Sequence, residues 1–318
     1  MTMKAIQIIP QNGTPWSAEQ FISFLRLSSD HWWDSNGRMN WIFRGHANAD
    51  WNLLPHGLRP IPLETAHSEP RAKLFAAIEK LPNSTSRPET SEVERAANIW
   101  SSTITEAVHQ FKERARIRGF LVDPWSPSPL QSNQLFHNAP PVDRENFQNY
   151  ALAQHHGIPT HLLDWTEDPM IACYFGCRPT IGTASDIAVW ALNETAIAHS
   201  NSSSLKTQNL LYALFGRAVC RLQLSDNIFM RTQKGVFTSM EGAFEPGMIP
   251  EIFRHGRWHG ADELLGDECD TAQVVLKKIV LPAAEVPRLR VLLLREGFAE
   301  DQLMPTLDNI AKVVRSLW

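Results

Sequence analysis

Polar side chains that could do chemistry are concentrated between residues 151 and 177, where they interrupt an otherwise apolar stretch. His155, His156 and His161 precede Asp164 there, a set that invites a metal site or a hydrolytic triad. Adjacent histidines on one helix point about 100° apart and seldom share a metal. The chain also has neither an H-E-x-x-H nor a G-x-S-x-G motif. We therefore expect no metal, and a hydrogen-bonding role in the core or in a pocket for His155 or His156.

Arg44 is a candidate for binding an anion. It follows three large apolar residues and precedes Gly45, so its guanidinium would emerge from a buried strand. At Gly45 the missing side chain would let a ligand or another backbone come close. Five fixed donors suit a phosphate or a carboxylate. The alternative is a buried salt bridge with Asp164 that stabilises the fold, and the sequence leaves both interpretations open.

A third polar group follows later in the chain, in the segment MRTQKGVF. The alternation of Arg231, Gln233, Gly235 and Phe237 predicts that they share one face of a strand. Such a face is a poor core surface, because unpaired buried polar groups cost about 1–3 kcal/mol each. The segment is therefore either an edge strand in water or the wall of a pocket, and we favour the pocket.

A basic and aromatic cluster lies in a glycine-rich loop and consists of Arg254, His255, Arg257, Trp258 and His259. It could contact nucleic acid through phosphates and base stacking. A solvated loop in an acidic protein is the simpler interpretation, and we favour it.

The elements around Asp164 can be predicted from local signals. A helix is expected to end at Gly157, which suits a left-handed terminator, and Pro159 cannot continue it. Residues 161–165 form a short apolar run that fits a buried strand. Thr166 or Asp168 can cap the next helix, in which Pro169 takes the first turn. Asp164 and Thr166 would then lie at a strand-to-helix junction, where backbone donors face a ligand.

Helical patterns dominate the chain up to residue 156, strand patterns dominate residues 186–281, and two helical patterns follow. Apolar spacing predicts helices at residues 17–27, 91–118, 143–156, 284–296 and 301–316. Two-residue alternation predicts strands at 41–45, 186–193, 218–224, 235–240 and 272–281. A Pro- and Ser-rich stretch, residues 123–142, is expected to be a surface connection. Because helices and strands do not alternate regularly, we predict an α+β fold with a mainly antiparallel sheet packed with helices.

Composition excludes some classes of protein. With 43% hydrophobic and 20% charged residues, the 318-residue chain is typical of a globular protein. A net charge of −4 gives no general attraction to nucleic acid or to an anionic membrane. No signal-peptide core and no run of eighteen apolar residues is present, so we expect a cytoplasmic protein without a membrane partner. Four cysteines are too few for a disulfide scaffold and are expected to be free thiols.

Four motifs in order resemble the FRG domain family. They are Phe43-Arg44-Gly45 followed by Trp51, Leu53, Pro55 and Arg59; QHHGIPTHLLDWTEDPMIACYF; Arg231, Gln233, Gly235 and Phe237; and GFAEDQLMPTLDNIA. The resemblance implies a single FRG-type domain over residues 1–318, with a helical insertion at about 60–150. Two positions depart from the family pattern. His161 stands where an arginine usually precedes the two leucines, and Met304, Pro305 and Thr306 stand where Phe-Pro-Asp is usual.

The order of the motifs is also similar to that of the ADP-ribosyltransferase superfamily, which implies a related architecture and NAD as the substrate. Carried over, Arg44 would hold the NAD phosphate or ribose. The nicotinamide side of the pocket would be formed by Asp164, Trp165 and Thr166. The late-strand position would fall to Gln233, which can orient a ribose hydroxyl but cannot act as a base. With Arg44, Gln233 and Asp164 as the catalytic set, the further cofactor-binding candidates are His155 and Arg231.

These resemblances imply an NAD-consuming ADP-ribosyltransferase or glycohydrolase that acts in bacterial stress or phage defence. The sequence does not identify the acceptor, which could be a protein, a nucleic acid or water. Two alternatives of other classes stay open. One is a module that senses or binds a nucleotide without chemistry, and the other is a nucleic-acid-binding protein that uses the 254–259 cluster.

Overall fold

The computed structural model describes residues 3–10, 13–59, 90–120, 144–178, 185–198, 205–216, 219–221, 228–244, 248, 252–254, 257–268, 270–271 and 273–315.

Eleven strands lie within these residues. They are β1 (Met3–Lys4), β2 (Ile6–Ile9), β3 (Trp41–His46), β4 (Leu162–Thr166), β5 (Ile187–Asn193), β6 (Cys220–Arg221), β7 (Gly235–Ser239), β8 (Phe253–Arg254), β9 (Arg257–Trp258), β10 (Asp270–Thr271) and β11 (Leu276–Leu281). Seven of them form one sheet in the order β2-β11-β5-β3-β4-β7-β6. All its neighbours are antiparallel except β2 and β11, which run parallel. The short pairs β1–β10 and β8–β9 are antiparallel as well.

The described residues also form eleven α-helices. They are α1 (Ala18–Leu25), α2 (Thr90–Ile117), α3 (Arg144–His155), α4 (Pro169–Gly176), α5 (Glu194–Ala198), α6 (Leu205–Phe215), α7 (Ile228–Thr232), α8 (Ala261–Glu268), α9 (Val286–Arg295), α10 (Glu300–Leu303) and α11 (Leu307–Arg315). Four single turns of 3-10 helix cover Asp30–Trp32, His56–Leu58, Glu241–Phe244 and Ala283–Glu285. No described helix is long and apolar enough to cross a bilayer.

Helices cover both faces of the central sheet. One apolar layer joins the sheet to α2, α3 and α6, and contains Ile42 from β3. The other joins it to α1, α4 and α9, and contains Trp41 and Phe43 from the same strand. Successive side chains of a strand point to opposite faces, so β3 is apolar at most positions because it contributes to two cores. A charged side chain in such a strand, Arg44, needs a specific polar environment.

Helix α4 lies directly on β3 at Gly45. A Cβ atom at Gly45 would stand 1.9 Å from the carbonyl oxygen of Ala172 and 2.6 Å from the amide nitrogen of Gly176. Asp168 caps this helix by accepting a hydrogen bond from the Met170 amide, and Pro169 occupies the first turn. Gly45 was expected to let either a ligand or another backbone come close, and the structure shows that the backbone of α4 does so.

The mainly antiparallel sheet packed with helices confirms the predicted fold class. The strand around Asp164, the cap at Asp168 and the long helix α2 are confirmed too. Gly157 has a φ of +84° and ends the segment after α3 as predicted. The predicted connection at 123–142 lies outside the described residues.

Three predictions about elements were wrong or incomplete. The strand predicted at 235–240 is confirmed as β7, but Arg231 and Gln233 do not share its face, because α7 takes residues 228–232 and Lys234 adopts a φ of +46°. The single helix predicted for 301–316 is two helices, α10 and α11, because Pro305 between them has no N–H to donate. The edge strand β2 and the helices α5, α6, α7 and α8 were not predicted at all.

Candidate anion-binding site

Arg44 occupies the middle strand of the seven-stranded sheet, with β5 on one side and β4 on the other. Its Nη1 donates to the main-chain oxygen of Asp164 at 2.6 Å and lies 3.6 Å from the Asp164 Oδ2 atom. Its Nε donates to Nε2 of His46 at 3.2 Å. Within the described part of the chain, the Nη2 group makes no hydrogen bond. The side chain is only 15% exposed, so it is held in place while two N–H donors stay available to a ligand.

His46 fixes the orientation of this guanidinium. Because Arg44 can only donate, the Nε2 atom of His46 must be an unprotonated acceptor, and its hydrogen is then on Nδ1. That Nδ1 lies 3.2 Å from the main-chain oxygen of Trp51, to which it can donate. The indole nitrogen of Trp190 also lies 3.3 Å from Nδ1, but it can bond there only in the other tautomer. Burial, together with the charge of Arg44, holds the pKa of His46 well below its ordinary value, which keeps the ring neutral.

Asp164 supplies the carboxylate of the site from the middle of β4. Its side chain is 55% exposed. Gln154, near the end of α3, donates its amide to Asp164 Oδ1 at 2.6 Å. Thr160 in turn donates its hydroxyl to the Gln154 side-chain oxygen. This chain of bonds holds the carboxylate beside Arg44 although the carboxylate itself faces water.

A second arginine, Arg59, follows the turn of 3-10 helix His56–Leu58. Its Nε donates to the main-chain oxygen of Leu54 at 3.1 Å. Burial first and the charge of Arg44 second lower the pKa of Arg59 to about 10, while the charge of Asp164 acts against them. Burial is also the largest cause that lowers the pKa of Arg44. Both guanidinium groups are therefore less stable as cations than in water, and an added anion would relieve this.

His155 is the last residue of α3 and directly follows Gln154. It is half-buried, and its pKa is lowered by burial first and by neighbouring His156, while Asp164 raises it. The charge of Asp164 thus acts on this imidazole. Among the residues predicted from sequence, the structure brings Arg44 and Asp164 into direct contact.

Gln233 and Thr166 lie at the far end of β4 and contact each other. The Thr166 hydroxyl donates to the main-chain oxygen of Gln233 at 2.7 Å. The Gln233 side-chain amide donates to the main-chain oxygen of Leu303, at the end of α10, at 3.1 Å. No contact joins Gln233 to Arg44 or Asp164 in the described residues. Both side chains connect elements of the protein in this structure, and their part in ligand binding stays a prediction.

Trp165 and Arg231 lie in contrasting surroundings. The indole of Trp165 is 3% exposed and donates to the Thr238 hydroxyl at 2.9 Å, so it belongs to the core beneath the sheet. Arg231 is exposed on helix α7. In this conformation neither side chain lines the space beside Arg44.

A second polar group surrounds His161, which precedes β4. The ring of His161 packs on that of Tyr150 with centroids 4.7 Å apart, and its Nε2 lies 3.9 Å from Oε2 of Glu241. Burial lowers the pKa of His161 to about 4 and raises that of Glu241 to about 7. The two groups therefore exist as a neutral imidazole beside a carboxyl group that titrates near neutral pH.

The nucleic-acid cluster at 254–259 and a metal site were the two other possibilities raised by the sequence. The 254–259 cluster includes a β8–β9 hairpin, but His259 is its one member whose side chain the structure describes. Where the structure describes the chain, no three His, Cys, Asp or Glu side chains form a group that could hold a metal ion.

Several residues around Arg44 had no role predicted from the sequence, namely His46, Trp51, Gln154 and Arg59. A signal for His46 was present, because positions two apart in a strand share a face and His46 is two residues beyond Arg44. Trp51, Arg59 and Gln154 were among the motif residues that carried the family resemblance. Their convergence depends on the loop after β3, for which no periodic pattern exists.

Comparison with known proteins finds a family match for the part of the chain that contains Arg44. No curated protein and no solved structure was found to match the chain. Residues 39–182 match the family model of the FRG domain. This segment contains all the residues gathered around Arg44, whereas Arg231 and Gln233 follow it. The match supports the assignment of the part of the chain that carries the candidate site to the FRG domain family.

Proposed function

We propose that the Arg44 site binds the phosphate of a nucleotide, and that this nucleotide is NAD, consumed by ADP-ribosyl transfer or hydrolysis. One observation carries the proposal. The guanidinium of Arg44 is held from the inside by His46 and by the Asp164 main chain, while its Nη2 donors have no partner in the described residues. A fixed guanidinium whose Nη2 group is free to donate suits a phosphate, whose oxygens accept charge-assisted hydrogen bonds.

The charges support an anion rather than a neutral ligand. The pKa of both Arg44 and Arg59 is lowered, chiefly by burial. A phosphate beside them would stabilise their charged forms, and hydrogen bonds to charged groups contribute about 1.5–3 kcal/mol each. The exposed carboxylate of Asp164 would not compete for the same donors, because Arg44 binds chiefly its main-chain oxygen.

Asp164 is the residue that we assign to the chemistry of the reaction. The bond between nicotinamide and ribose breaks with its electron pair passing to nicotinamide, and the ribose carbon then bonds to an oxygen of water or of an acceptor, which loses a proton. A carboxylate held by Gln154 can stabilise the positive charge that develops on the ribose, or take that proton. The proposal includes an ADP-ribosyltransferase-like architecture and a role in bacterial stress or phage defence, both on the strength of the resemblance alone.

A second candidate function is the binding of a nucleotide without chemistry. It is favoured by Gln233, whose amide is used in a bond to Leu303 and so does not reach towards Arg44. In that case the Arg44 site would act as a sensor, and the bound nucleotide would leave unchanged.

Incubation with NAD labelled in the nicotinamide ring and, separately, in the adenine tests the proposal. We expect released nicotinamide, and label from adenine on a macromolecule or in free ADP-ribose. Asp164→Asn should abolish release, and Arg44→Gln should lower it at NAD concentrations that do not saturate the variant. The control is Arg288→Gln, since Arg288 pairs with Glu19 on the surface and both side chains are about half-exposed.

The outcomes separate the candidates. NAD that binds through Arg44 but is recovered intact would contradict the enzyme and support the sensor. If NAD does not bind and a nucleic acid binds instead, both would be wrong, and the 254–259 cluster would become the site to study.

A further inference from the structure

Trp51 presents an aromatic ring beside the Arg44 site. Its side chain is among the exposed large apolar groups, at 45% exposure. Its ring lies 6.3 Å from the His46 ring, centroid to centroid, and its main-chain oxygen is bonded to His46. Since His46 also accepts a bond from Arg44, only one side chain separates the exposed indole from the guanidinium.

The loop that carries Trp51 is fixed at both ends. On one side, the Ala49 amide donates to the main-chain oxygen of Asp186 at 2.7 Å. On the other side, the Leu53 amide donates to Asp262 Oδ1 at 2.9 Å. The backbone around Trp51 is therefore tied to two distant parts of the chain. An exposed ring on an anchored loop loses little conformational entropy when a ligand stacks on it.

Trp33 is equally exposed, but its indole N–H has a structural partner. Trp33 is 44% exposed, and its indole N–H donates to the main-chain oxygen of Leu27 at 2.6 Å. The indole N–H of Trp51 makes no hydrogen bond within the described part of the chain. The ring of Trp51 thus has both a free face and a free donor, while Trp33 is used to close a turn.

We propose that Trp51 is the stacking surface for the heteroaromatic ring of the ligand whose phosphate Arg44 holds. The inference rests on the proposed function, because it needs the anion site at Arg44, and it defines the ligand class as a nucleotide rather than a sugar phosphate or a free phosphate. A base on an aromatic side chain gains affinity by stacking, and an indole offers the largest face.

Calorimetric titration with three ligands tests this inference. AMP and nicotinamide mononucleotide each add one ring to ribose 5-phosphate, so their affinities relative to ribose 5-phosphate isolate the ring. Trp51→Ala should weaken binding of at least one of the two nucleotides by roughly 5- to 150-fold and leave ribose 5-phosphate unchanged. Trp51→Phe should restore most of the affinity, and Trp33→Ala is the matched control of equal exposure. The nucleotide that loses more affinity identifies the ring that stacks.

The results distinguish this inference from the function on which it rests. If Arg44→Gln weakens all three ligands but Trp51→Ala weakens none, the anion site stands and stacking on Trp51 is refuted. If Arg44→Gln changes no affinity, or none of the three ligands binds, the anion site and the stacking are refuted together. Intrinsic fluorescence supplies a second readout: nucleotide should quench wild type and Trp33→Phe, and quench Trp51→Phe much less.

Discussion

The close approach of helix α4 to β3 predicts that Gly45 tolerates no side chain. A Cβ atom there would lie 1.9 Å from the Ala172 oxygen, whereas ordinary contacts begin at 3.4 Å. The helix and the strand would have to separate by about 1.5 Å in Gly45→Ala. The atoms in the way belong to the helix backbone, so no side chain can rotate to make room.

Overpacking of a core costs about 1–3 kcal/mol and occasionally more, and we expect the upper end here because two elements must move together. With a urea m value of about 3 kcal/mol per molar, the loss would lower the unfolding midpoint by about 1 M. Urea titration followed by circular dichroism measures it. Arg44 directly precedes Gly45, so the variant should lose nucleotide affinity as well.

Gly176→Ala is the matched control, since Gly176 lies on the opposite side of the same contact. A Cβ atom there would have its nearest neighbour, the His46 oxygen, at 3.6 Å, which is an ordinary contact. Alanine favours a helix over glycine by up to about 1 kcal/mol, so this variant should be as stable as wild type or slightly more stable. A Gly45→Ala midpoint equal to that of wild type at an unchanged m value would refute the reasoning.

Three further predictions follow from the site and its surroundings. Arg44→Met should lower the free energy of unfolding by about 1–3 kcal/mol, as measured by denaturant titration. A broken buried ion pair would cost roughly 3–5 kcal/mol, and we expect less because the partner Asp164 faces water. A loss above about 3 kcal/mol would favour a structural salt bridge. The pKa of Glu241 is raised from 4.5 to about 7, so between these values the folded protein keeps a proton that the unfolded chain releases, and wild-type stability loses this contribution as pH rises. His161, with its pKa lowered from 6.5 to about 4, has the opposite effect between pH 4 and 6.5, but it is present in both proteins and cancels when they are compared. Relative to wild type, Glu241→Gln should therefore gain about 1–3 kcal/mol of unfolding free energy from pH 4.5 to 7; a flat difference would contradict the burial of Glu241. NAD affinity should change little between low and physiological salt, whereas steeply salt-dependent binding of DNA or RNA without NAD binding would reverse the ranking of functions.

Local signals were enough to predict the centre of the fold. The elements on either side of Asp164 carry their own terminators and caps, namely Gly157, Asp168 and Pro169, and each was found where local chemistry placed it. The strand β3 was predictable for a similar reason, since three apolar residues precede Arg44. Such signals act within a few residues and need no knowledge of the rest of the chain.

The wrong predictions concern choices that distant residues decide. Alternation favoured a strand through Arg231 and Gln233, but the Thr166 hydroxyl binds the Gln233 main chain and Leu303 accepts its amide. The burial of Trp165 was not predicted either, since its indole donates to the Thr238 hydroxyl inside the core; its part in ligand binding stays a prediction. Each of these contacts joins residues at least 67 positions apart, and no periodicity reports on them.

In the candidate site, too, local signals identified some residues, whereas the roles of others depend on distant contacts. Arg44 and Asp164 could be selected because a charge interrupts an apolar run in each case. Arg59 and His46 could not be given roles, since these depend on how the loop after β3 returns over the strand. The partners of Arg44 could not be predicted either, since they depend on the pairing of β3 with β4; Arg44 bonds chiefly to the Asp164 main chain and keeps its Nη2 donors.

The central claim is that Arg44 binds the phosphate of a nucleotide, and the affinity of NAD for wild type and Arg44→Gln tests it most directly. Arg288→Gln serves as the control for the loss of a positive charge, and circular dichroism confirms that all three proteins are folded. We expect Arg44→Gln to weaken NAD binding by about 10- to 150-fold, which corresponds to one hydrogen bond to a charged group, and Arg288→Gln to bind as wild type does. Equal affinity of wild type and Arg44→Gln for NAD would contradict the account.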